Sequence, residues 1–435
     1  MKKYLILIGI AVVTFAACSS EENPIAQKST GVNTDAPIDD ENLSYEHYVG
    51  TLPIEFAGVK MQEDAEFEVE EVTRGNVSGV SENKRIGVFC LSYRKLDNEL
   101  GDSYFHWTDG KYKTLNRWQD NAKAHIKFTN ATDGALVWDD PNTPHYYPKY
   151  DTFAYQFAAY QPYTEAIAYA KKTIYAWMIL DGDDDVMYAV SDRPRNGVVT
   201  EELAFYSYGN HYFEEVASTG EITADHKPYF TFRHVLAQVN FDIKLKASAP
   251  TSDHTFRVDS ISIRNLVNIG RLKVANLGDG TIEDGSMVCF ADINSTSIPD
   301  EIRPILAEKG VTGKGNFWMR EKDGTSIRDL KVGNEYKYLL STEAKTIGGG
   351  IFIPTSSTTL TIDIFLCDEN GNRFTSTKPI VVNKPSDAGW KAGKHYTIPI
   401  TVTPPKYFMD ETRGSVLEWD ADTGIDGIIP IDVDF

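Results

Sequence analysis

Apolar and polar residues alternate with a period of two along most of this chain, and this pattern constrains its fold more than any other feature. Successive side chains of a β-strand point to opposite faces, so the alternation is typical of strands with one buried face and one wet face. The clearest runs have their apolar side chains at Val239, Phe241, Ile243 and Leu245, and at Leu360, Ile362, Ile364 and Leu366. Because no strand–helix–strand rhythm accompanies them, the pattern predicts an all-β fold built from β-sandwiches rather than a helix-covered parallel sheet.

Two local signals qualify this pattern. Asn370-Gly371 lies between the predicted strand at residues 360–366 and Arg373-Phe374, and it is the strongest short hairpin signal in the chain. Residues 165–180 are the best candidate for a helix, although their Tyr, Thr and Trp residues leave a strand possible there.

The first 17 residues are predicted to be a signal peptide. Lys2 and Lys3 precede an apolar run that ends at Ala17, and this run is shorter than the roughly 20 residues that a membrane-spanning helix needs. The next residue is Cys18, which matches a lipobox: cleavage between Ala17 and Cys18 frees the cysteine, whose thiol receives a diacylglyceryl group. The alternative is an ordinary signal peptide with a chance cysteine near its cleavage site.

Residues 18–45 are predicted to be the lipidated cysteine followed by a disordered tether. The stretch is rich in Ser, Asn, Asp, Pro and Thr and has too little apolar surface to offset the entropy of ordering it. The Ser and Glu cluster directly behind Cys18 resembles the export signal of surface lipoproteins, which favours the outer face of an outer membrane. The remaining chain is long enough for two cores, and we predict two domains at 46–227 and 228–435.

Charge and cysteine content exclude several classes of function. The net charge of −20 would repel phosphate backbones, so nucleic acid is not expected as a partner. Cys90, Cys289 and Cys367 are widely separated and form no CxxC motif, so neither a zinc site nor a disulfide framework is indicated.

A search for catalytic motifs finds no GxSxG and no HExxH, and we predict no catalytic residue, no metal site and no cofactor. Residues 181–185 alternate acids as a calcium loop does, but Val186 replaces the turn glycine, which favours a solvated acidic turn. His234 is predicted to be a hydrogen-bonded packing histidine. Trp107, Trp118 and Trp138 are residue types that can stack on sugars, although core filling is the favoured interpretation.

Four segments, in the same order along the chain, resemble the fimbrillin family, the subunits of type V pili. They are Thr73-Arg74-Gly75 followed by Arg85-Ile86-Gly87-Val88-Phe89, the aromatic block from Trp138 to Pro162, Phe232-Arg233-His234-Val235-Leu236-Ala237-Gln238-Val239, and Trp390-Lys391-Ala392-Gly393-Lys394-His395-Tyr396. Together they cover about residues 50–420.

The resemblance implies two transthyretin-like β-sandwich domains and export as a lipoprotein. In members that polymerise, a protease cuts behind a surface arginine, the first strand leaves, and a strand donated by the neighbouring subunit fills the groove. In this chain Arg74 matches the cut site, so that the cut would fall between Arg74 and Gly75, and residues 52–59 match the removable strand. The alternative is that Arg74 is an ordinary loop arginine. The long tether and Gly75 depart from the family pattern, so trimming could also be absent, as in an anchoring or accessory subunit.

The last residues form a candidate donor strand. Its apolar residues are Ile428, Ile429, Ile431, Val433 and Phe435, and Asp432 and Asp434 alternate with the last of them. This strand is either donated to the next subunit or completes the sandwich of its own chain, and the sequence leaves both open.

The sequence therefore predicts a structural and adhesive surface lipoprotein, not an enzyme, that serves as the shaft, anchor or tip subunit of a fimbria. Its predicted partners are other pilus subunits, outer-membrane lipid through acylated Cys18, and a host or bacterial surface receptor. The alternative is a glycan-binding surface lipoprotein that never polymerises.

Overall fold

Strands dominate the computed structural model, and this confirms the all-β fold class. The residues that the structure describes are 45–61, 84–92, 113–128, 133–142, 145–148, 155–170, 173–191, 227–247, 255–277, 282–283, 285–376, 380–385, 389–403 and 431–434.

Within these ranges the elements follow one another in chain order. The strands and helices are α1 (Tyr45–Tyr48), β1 (Val49–Pro53), β2 (Gly58–Met61), β3 (Arg85–Ser92), α2 (Lys113–Asn116), β4 (Arg117–Phe128), β5 (Asp133–Trp138), β6 (Tyr146–Pro148), β7 (Tyr155–Gln161), β8 (Ile167–Ala170), β9 (Thr173–Ile179), β10 (Met187–Val190), β11 (Tyr229–His234), β12 (Ala237–Leu245), β13 (Phe256–Val267), β14 (Ile269–Leu277), β15 (Ile282–Glu283), β16 (Met287–Phe290), α3 (Arg303–Glu308), β17 (Lys314–Trp318), β18 (Lys331–Val332), β19 (Glu335–Tyr336), β20 (Lys345–Ile353), β21 (Thr359–Asp368), β22 (Arg373–Thr375), β23 (Ile380–Asn383), β24 (His395–Thr403) and β25 (Ile431–Asp434).

Seven strands of the N-terminal half form one closed sheet in the order β10-β11-β2-β5-β4-β3-β7, and β7 pairs back to β10. Neighbours are antiparallel except β2 and β11, which run parallel. The sheet encloses a core that includes Ile86, Val88 and Phe157. The opposite face of β3 carries Phe89 into the larger core of the C-terminal half, so both faces of β3 are buried and its sequence does not alternate.

Two sheets of the C-terminal half, the first mixed and the second antiparallel, line that larger core. One has the order β20-β12-β24-β25, and the other has β17-β13-β21-β22, with β23 also paired to β21. Val239, Phe241 and Ile243 of β12 are completely buried, and the polar residues between them are partly exposed. The period-two alternation therefore predicts this strand and its buried face correctly.

The hairpin predicted at Asn370-Gly371 is confirmed. β21 and β22 pair antiparallel, with Leu366 opposite Phe374. The carboxylate of Asp368 accepts the backbone N–H of Asn370 at 2.9 Å and that of Asn372 at 2.7 Å, which stabilises the turn. Gly371 has a φ of +87°, a conformation that glycine adopts without strain.

The candidate helix at residues 165–180 is a correction, because the structure forms strands there. β8 and β9 form an antiparallel pair that extends from the N-terminal half, and β9 also pairs with β14. Trp177 is buried beside α3, where it packs in a small cluster with Ile269 and Leu306. A β-sheet neighbour on each side of β9 outweighs the weak helical pattern of the segment.

The strand pairing crosses the predicted domain boundary at 227/228 in two places. β9 precedes that boundary but pairs with β14, which follows it, whereas β11 follows it but belongs to the closed N-terminal sheet. The two halves are therefore linked by sheet hydrogen bonds as well as by the chain.

Candidate assembly site

The N-terminal segment, residues 45–61, is built into the fold. β1 pairs with β6, and β2 lies between β5 and β11, so β2 has a hydrogen-bonded neighbour on each side. The stretch at 52–59, expected to be one removable strand, contains the end of β1, an irregular connection and the start of β2. The connection begins after Pro53, a residue type that cannot donate a sheet hydrogen bond.

Aromatic side chains surround Phe56 in this connection. Its ring centroid lies 5.2 Å from that of Trp138, 5.5 Å from that of Phe157 and 5.4 Å from that of Phe230. These three rings come from β5, β7 and β11, so Phe56 joins three strands of the closed sheet. Tilted and edge-on pairs at these distances are the favourable arrangements of aromatic rings.

Tyr48 and two aliphatic side chains of the segment are buried in the same core. Ile54 is 2% exposed and Val59 is 1% exposed. Full burial of such a side chain stabilises a fold by roughly 1.5–3 kcal/mol. The segment therefore contributes several kcal/mol to the closed sheet, which is a large share of a domain's usual stability.

Both backbone polar groups of Ile54, its N–H and its carbonyl, form hydrogen bonds. Its N–H donates to the carbonyl oxygen of His145 at 2.7 Å, and its carbonyl accepts the indole N–H of Trp138 at 3.0 Å. The imidazole of His145 lies against the indole, with 4.1 Å between ring centroids. We name Trp138 and His145 the Ile54 clamp.

His145 makes the Ile54 clamp sensitive to pH. Burial lowers the pKa of His145 below its ordinary value, and the nearby Asp140 carboxylate opposes this shift only in part. Nδ1 of His145 lies 2.7 Å from Oε1 of Gln119, which orients the ring. The neutral imidazole is therefore the form that the folded protein favours.

Glu55 and Ala57, also in this connection, contact the residues that precede β11. The N–H of Ala57 donates to the carbonyl of Pro228 at 2.9 Å, and Glu55 pairs with Lys227 at 2.5 Å. Both partners come directly before β11, the parallel neighbour of β2. These contacts extend the pairing of β2 with β11 back into the irregular connection.

The remaining predicted sites of the N-terminal region lie outside the described residues. These are the signal cleavage position at Ala17 and Cys18, the lipidation site at Cys18, and the candidate cut site at Arg74 and Gly75. β2 ends at Met61 and β3 begins at Arg85, so Arg74 follows β2 and precedes β3 in the sequence.

The candidate donor strand is described in part. Ile431 and Val433 lie in β25, which runs parallel to β24 with Ile431 opposite Ile400 and Val433 opposite Val402. Ile428, Ile429 and Phe435 lie outside the described residues. β25 lies at the edge of its sheet, where β24 is its hydrogen-bonded neighbour among the described strands.

The acidic turn at residues 181–185 keeps Asp181 and Asp183 exposed, as a solvated turn does, and it also has cationic partners from distant parts of the chain. Asp183 pairs with Arg320 at 2.9 Å, and Asp184 pairs with Lys84. The carboxylate of Asp181 accepts the backbone N–H of Asp183 at 3.0 Å. Burial and the adjacent Asp181 carboxylate raise the pKa of Asp183 to about 6.

His234 is confirmed as a hydrogen-bonded packing histidine, because its Nδ1 bonds to the carboxylate of the buried Asp185. Among the described residues, no three His, Cys, Asp or Glu side chains lie together as metal ligands. The described part of the chain also contains no helix with the length and apolarity to cross a membrane.

The core-filling interpretation holds for Trp118 and Trp138. Trp118 is 3% exposed, and its indole N–H donates to the carbonyl of Tyr146 at 2.6 Å. Trp138 packs against the N-terminal core, whereas Trp107 lies outside the described residues. Sequence reasoning missed the Ile54 clamp, and no local signal marks His145 as its second member.

The chain is similar to one known protein family and to several solved structures. The model of the fimbrillin-like family matches residues 73–417 of this chain. No curated protein gives a match. Among solved structures, a candidate cell adhesion protein from Bacteroides uniformis is 16% identical, with 81% of this chain and 94% of that chain covered and a TM-score of 0.37. A fimbrial protein from Bacteroides vulgatus is 13% identical, with 81% and 95% covered and a TM-score of 0.32.

The family assignment rests on the family match, which spans most of the chain. The match also agrees with the four motifs that resemble fimbrillins. The chain belongs to the fimbrillin-like family, and it is a pilus or adhesion-type protein of the cell surface.

Proposed function

We propose that this protein is a structural and adhesive pilus subunit that assembles by strand donation after proteolytic trimming. One observation carries the proposal: β2 occupies the position between β5 and β11, yet it precedes Arg74 in the chain. A single cut after Arg74 would therefore break the covalent link between β2 and the strands that enclose it.

Loss of the trimmed segment would open a site that suits a donated strand. The facing edges of β5 and β11 would lose their hydrogen-bonded neighbour, and the positions of Ile54, Phe56 and Val59 would become apolar pockets. An incoming strand satisfies such edges with its backbone and fills such pockets with alternate side chains. The unpaired strand edges of an unfilled site would pair non-specifically with other chains. Trimming should therefore be followed directly by strand donation.

The C-terminal strand is the proposed donor. Its apolar residues Ile428, Ile429, Ile431, Val433 and Phe435 supply the side chains for the pockets. Residues 404–430 connect it to β24, and an extended chain spans about 3.3–3.6 Å per residue. A linker of this length permits the strand to reach a neighbouring subunit.

Export and anchoring complete the proposal. Cleavage between Ala17 and Cys18 and acylation of Cys18 would hold the newly exported subunit on outer-membrane lipid, and more than one acyl chain makes such an anchor stable. Its partners would then be other pilus subunits and a surface receptor. Replacement of Cys18 by Ser is expected to stop palmitate labelling, and labelling that persists would contradict the anchor.

The chain contains its own matched control for the trimming step. Thr-Arg-Gly occurs at residues 73–75 and again at residues 412–414, so Arg74→Gln and Arg413→Gln alter the same local sequence at two places. Wild-type and variant proteins would be recovered from the cell surface, and their multimers separated without heating. The N-terminal residue of each band would then be identified by mass spectrometry.

We expect wild-type multimers to begin at Gly75. Arg74→Gln should leave an untrimmed monomer that begins at acylated Cys18, and Arg413→Gln should assemble normally. Multimers whose chains retain residues 45–61, or full assembly of Arg74→Gln, would contradict trimming at this site.

A further inference from the structure

A second surface of the molecule has a composition that pilus assembly does not require. It is the outer face of the sheet formed by β17, β13, β21 and β22. The inner face of these strands packs Phe317, Ile263 and Ile362 into the core. Across the outer face, Trp318 lies opposite Ser262, and Ser262 lies opposite Asp363.

Two aromatic rings lean toward each other over this outer face. Trp318 is 40% exposed, and its ring centroid lies 6.2 Å from that of Phe365, with 29° between the ring planes. The strand between them carries Ser260 and Ser262, which are only 6% and 1% exposed. The side chains of the two flanking strands therefore cover these small residues, and a large indole remains accessible to solvent.

Guanidinium groups are fixed around the rings. Arg264 makes two hydrogen bonds to the carboxylate of Asp363 through Nε and Nη2. Arg373 donates to Asp259 at 2.5 Å and its guanidinium carbon lies 5.3 Å from the ring centroid of Phe365.

A third guanidinium contacts one of these carboxylates. Nε of Arg328 lies 3.5 Å from the same Asp259 carboxylate that Arg373 contacts. Three guanidiniums thus share the two carboxylates of Asp259 and Asp363. These five groups together carry one net positive charge on a chain whose net charge is −20, and this favours an anionic ligand at the cluster.

We infer that this face binds an oligosaccharide whose sugars carry carboxylates. The apolar face of a pyranose ring can pack on an exposed indole, as ligands commonly pack on aromatic side chains at binding sites. Guanidinium N–H groups recognise carboxylates through directed, charge-assisted hydrogen bonds. The exposed side chains of Asn316 and Thr375 border the rings and offer hydroxyl-binding groups.

We expect the arginines to make this face prefer a glycan with carboxylates over a neutral glycan. Arg264 and Arg373 are held in place before the ligand arrives, so they lose little conformational freedom on binding. Binding at this face requires neither the cut after Arg74 nor a donated strand, and it fits a protein of the cell surface.

The test is a binding titration of the purified full chain, measured by tryptophan fluorescence and by calorimetry. It uses two probes of equal length, hexagalacturonate and maltohexaose. We expect the wild type to bind hexagalacturonate, with affinity that falls as salt rises. Trp318→Ala should weaken this binding by about tenfold or more, a change of about 1.4 kcal/mol. Arg264→Gln combined with Arg373→Gln should weaken it as well and flatten its salt dependence.

Val332→Ala serves as the matched control, because Val332 is an apolar residue on β18, outside this sheet, and is 67% exposed. Its affinity should equal that of the wild type. Three results would each overturn the inference: no binding of hexagalacturonate by the wild type, undiminished binding by Trp318→Ala, or equal affinity for maltohexaose. Circular dichroism of each variant separates lost binding from lost folding.

Discussion

The two ends of the described chain are attached to the fold in opposite ways. β2 has hydrogen-bonded neighbours on both sides, and its segment places Ile54 and Val59 in the closed core. β25 is added in parallel at the edge of a sheet, with β24 beside it among the described strands. An internal strand separates only when the sheet around it opens, whereas an edge strand can open locally.

This difference suits the roles that we propose for the two ends. A segment that completes the core keeps the subunit folded until a protease removes it. An edge strand can leave its own sheet at a smaller cost and become available to a neighbour. The difference can be measured, because the two ends should contribute very unequally to the free energy of unfolding.

The largest expected effect is that of deleting each end in turn. Loss of residues 45–61 removes the buried side chains of Tyr48, Ile54 and Val59 from one core, together with the partly buried Val49, Leu52 and Phe56. Because full burial of an apolar side chain contributes roughly 1.5–3 kcal/mol, most of the usual 5–15 kcal/mol of stability would be lost. Deletion of residues 431–435 should lower the melting temperature by only a few degrees, because one ladder is lost at an edge.

The effects of both deletions are measured by thermal unfolding, monitored by circular dichroism, and by size-exclusion chromatography. A C-terminal deletion that fails to fold would show that β25 is integral to its own sheet and would reject its role as donor. A stable N-terminal deletion would contradict the central part that we assign to β2.

A single substitution tests the N-terminal end with less disruption. Ile54→Ala leaves a cavity in a packed core and should cost about 2–5 kcal/mol in the free energy of unfolding. Leu52→Ala is the matched control, because Leu52 lies on the same segment but is only partly buried. Denaturant titration should give a clearly smaller loss for Leu52→Ala, and equal losses would contradict the specific burial of Ile54.

The smallest expected effect is a pH dependence of the Ile54 clamp. Burial lowers the pKa of His145 in the folded protein, whereas the unfolded chain keeps a value of about 6.5. The stability that the neutral ring contributes is therefore complete above pH about 6.5 and is lost as the pH falls below it.

His145→Gln removes this titration. We expect the wild type to lose more stability than the variant between pH 7 and pH 5, measured by urea unfolding at each pH. Equal losses in the two proteins would show that His145 does not couple protonation to the clamp.

Some parts of the fold could be predicted from local sequence because their causes are local. The alternation at Val239, Phe241 and Ile243 specifies a strand with one buried face, and Asn370-Gly371 specifies its turn by backbone conformation alone. Residues 165–180 show the limit, since their strands depend on the distant β14. Asp183 and Asp184 likewise acquire their cationic partners only through folding.

The sequence by itself determined the all-β class, the buried faces of alternating strands and, through its motifs, the family. Each of these follows from residue types at fixed short spacings, which the chain carries before it folds. Only the tertiary structure decided that β2 lies between β5 and β11, that Trp138 and His145 hold Ile54, and that Trp318 and Phe365 meet above two serines. The reason is that strand neighbours far apart in the chain are selected by the burial and hydrogen bonding of the whole sheet, which no local pattern encodes.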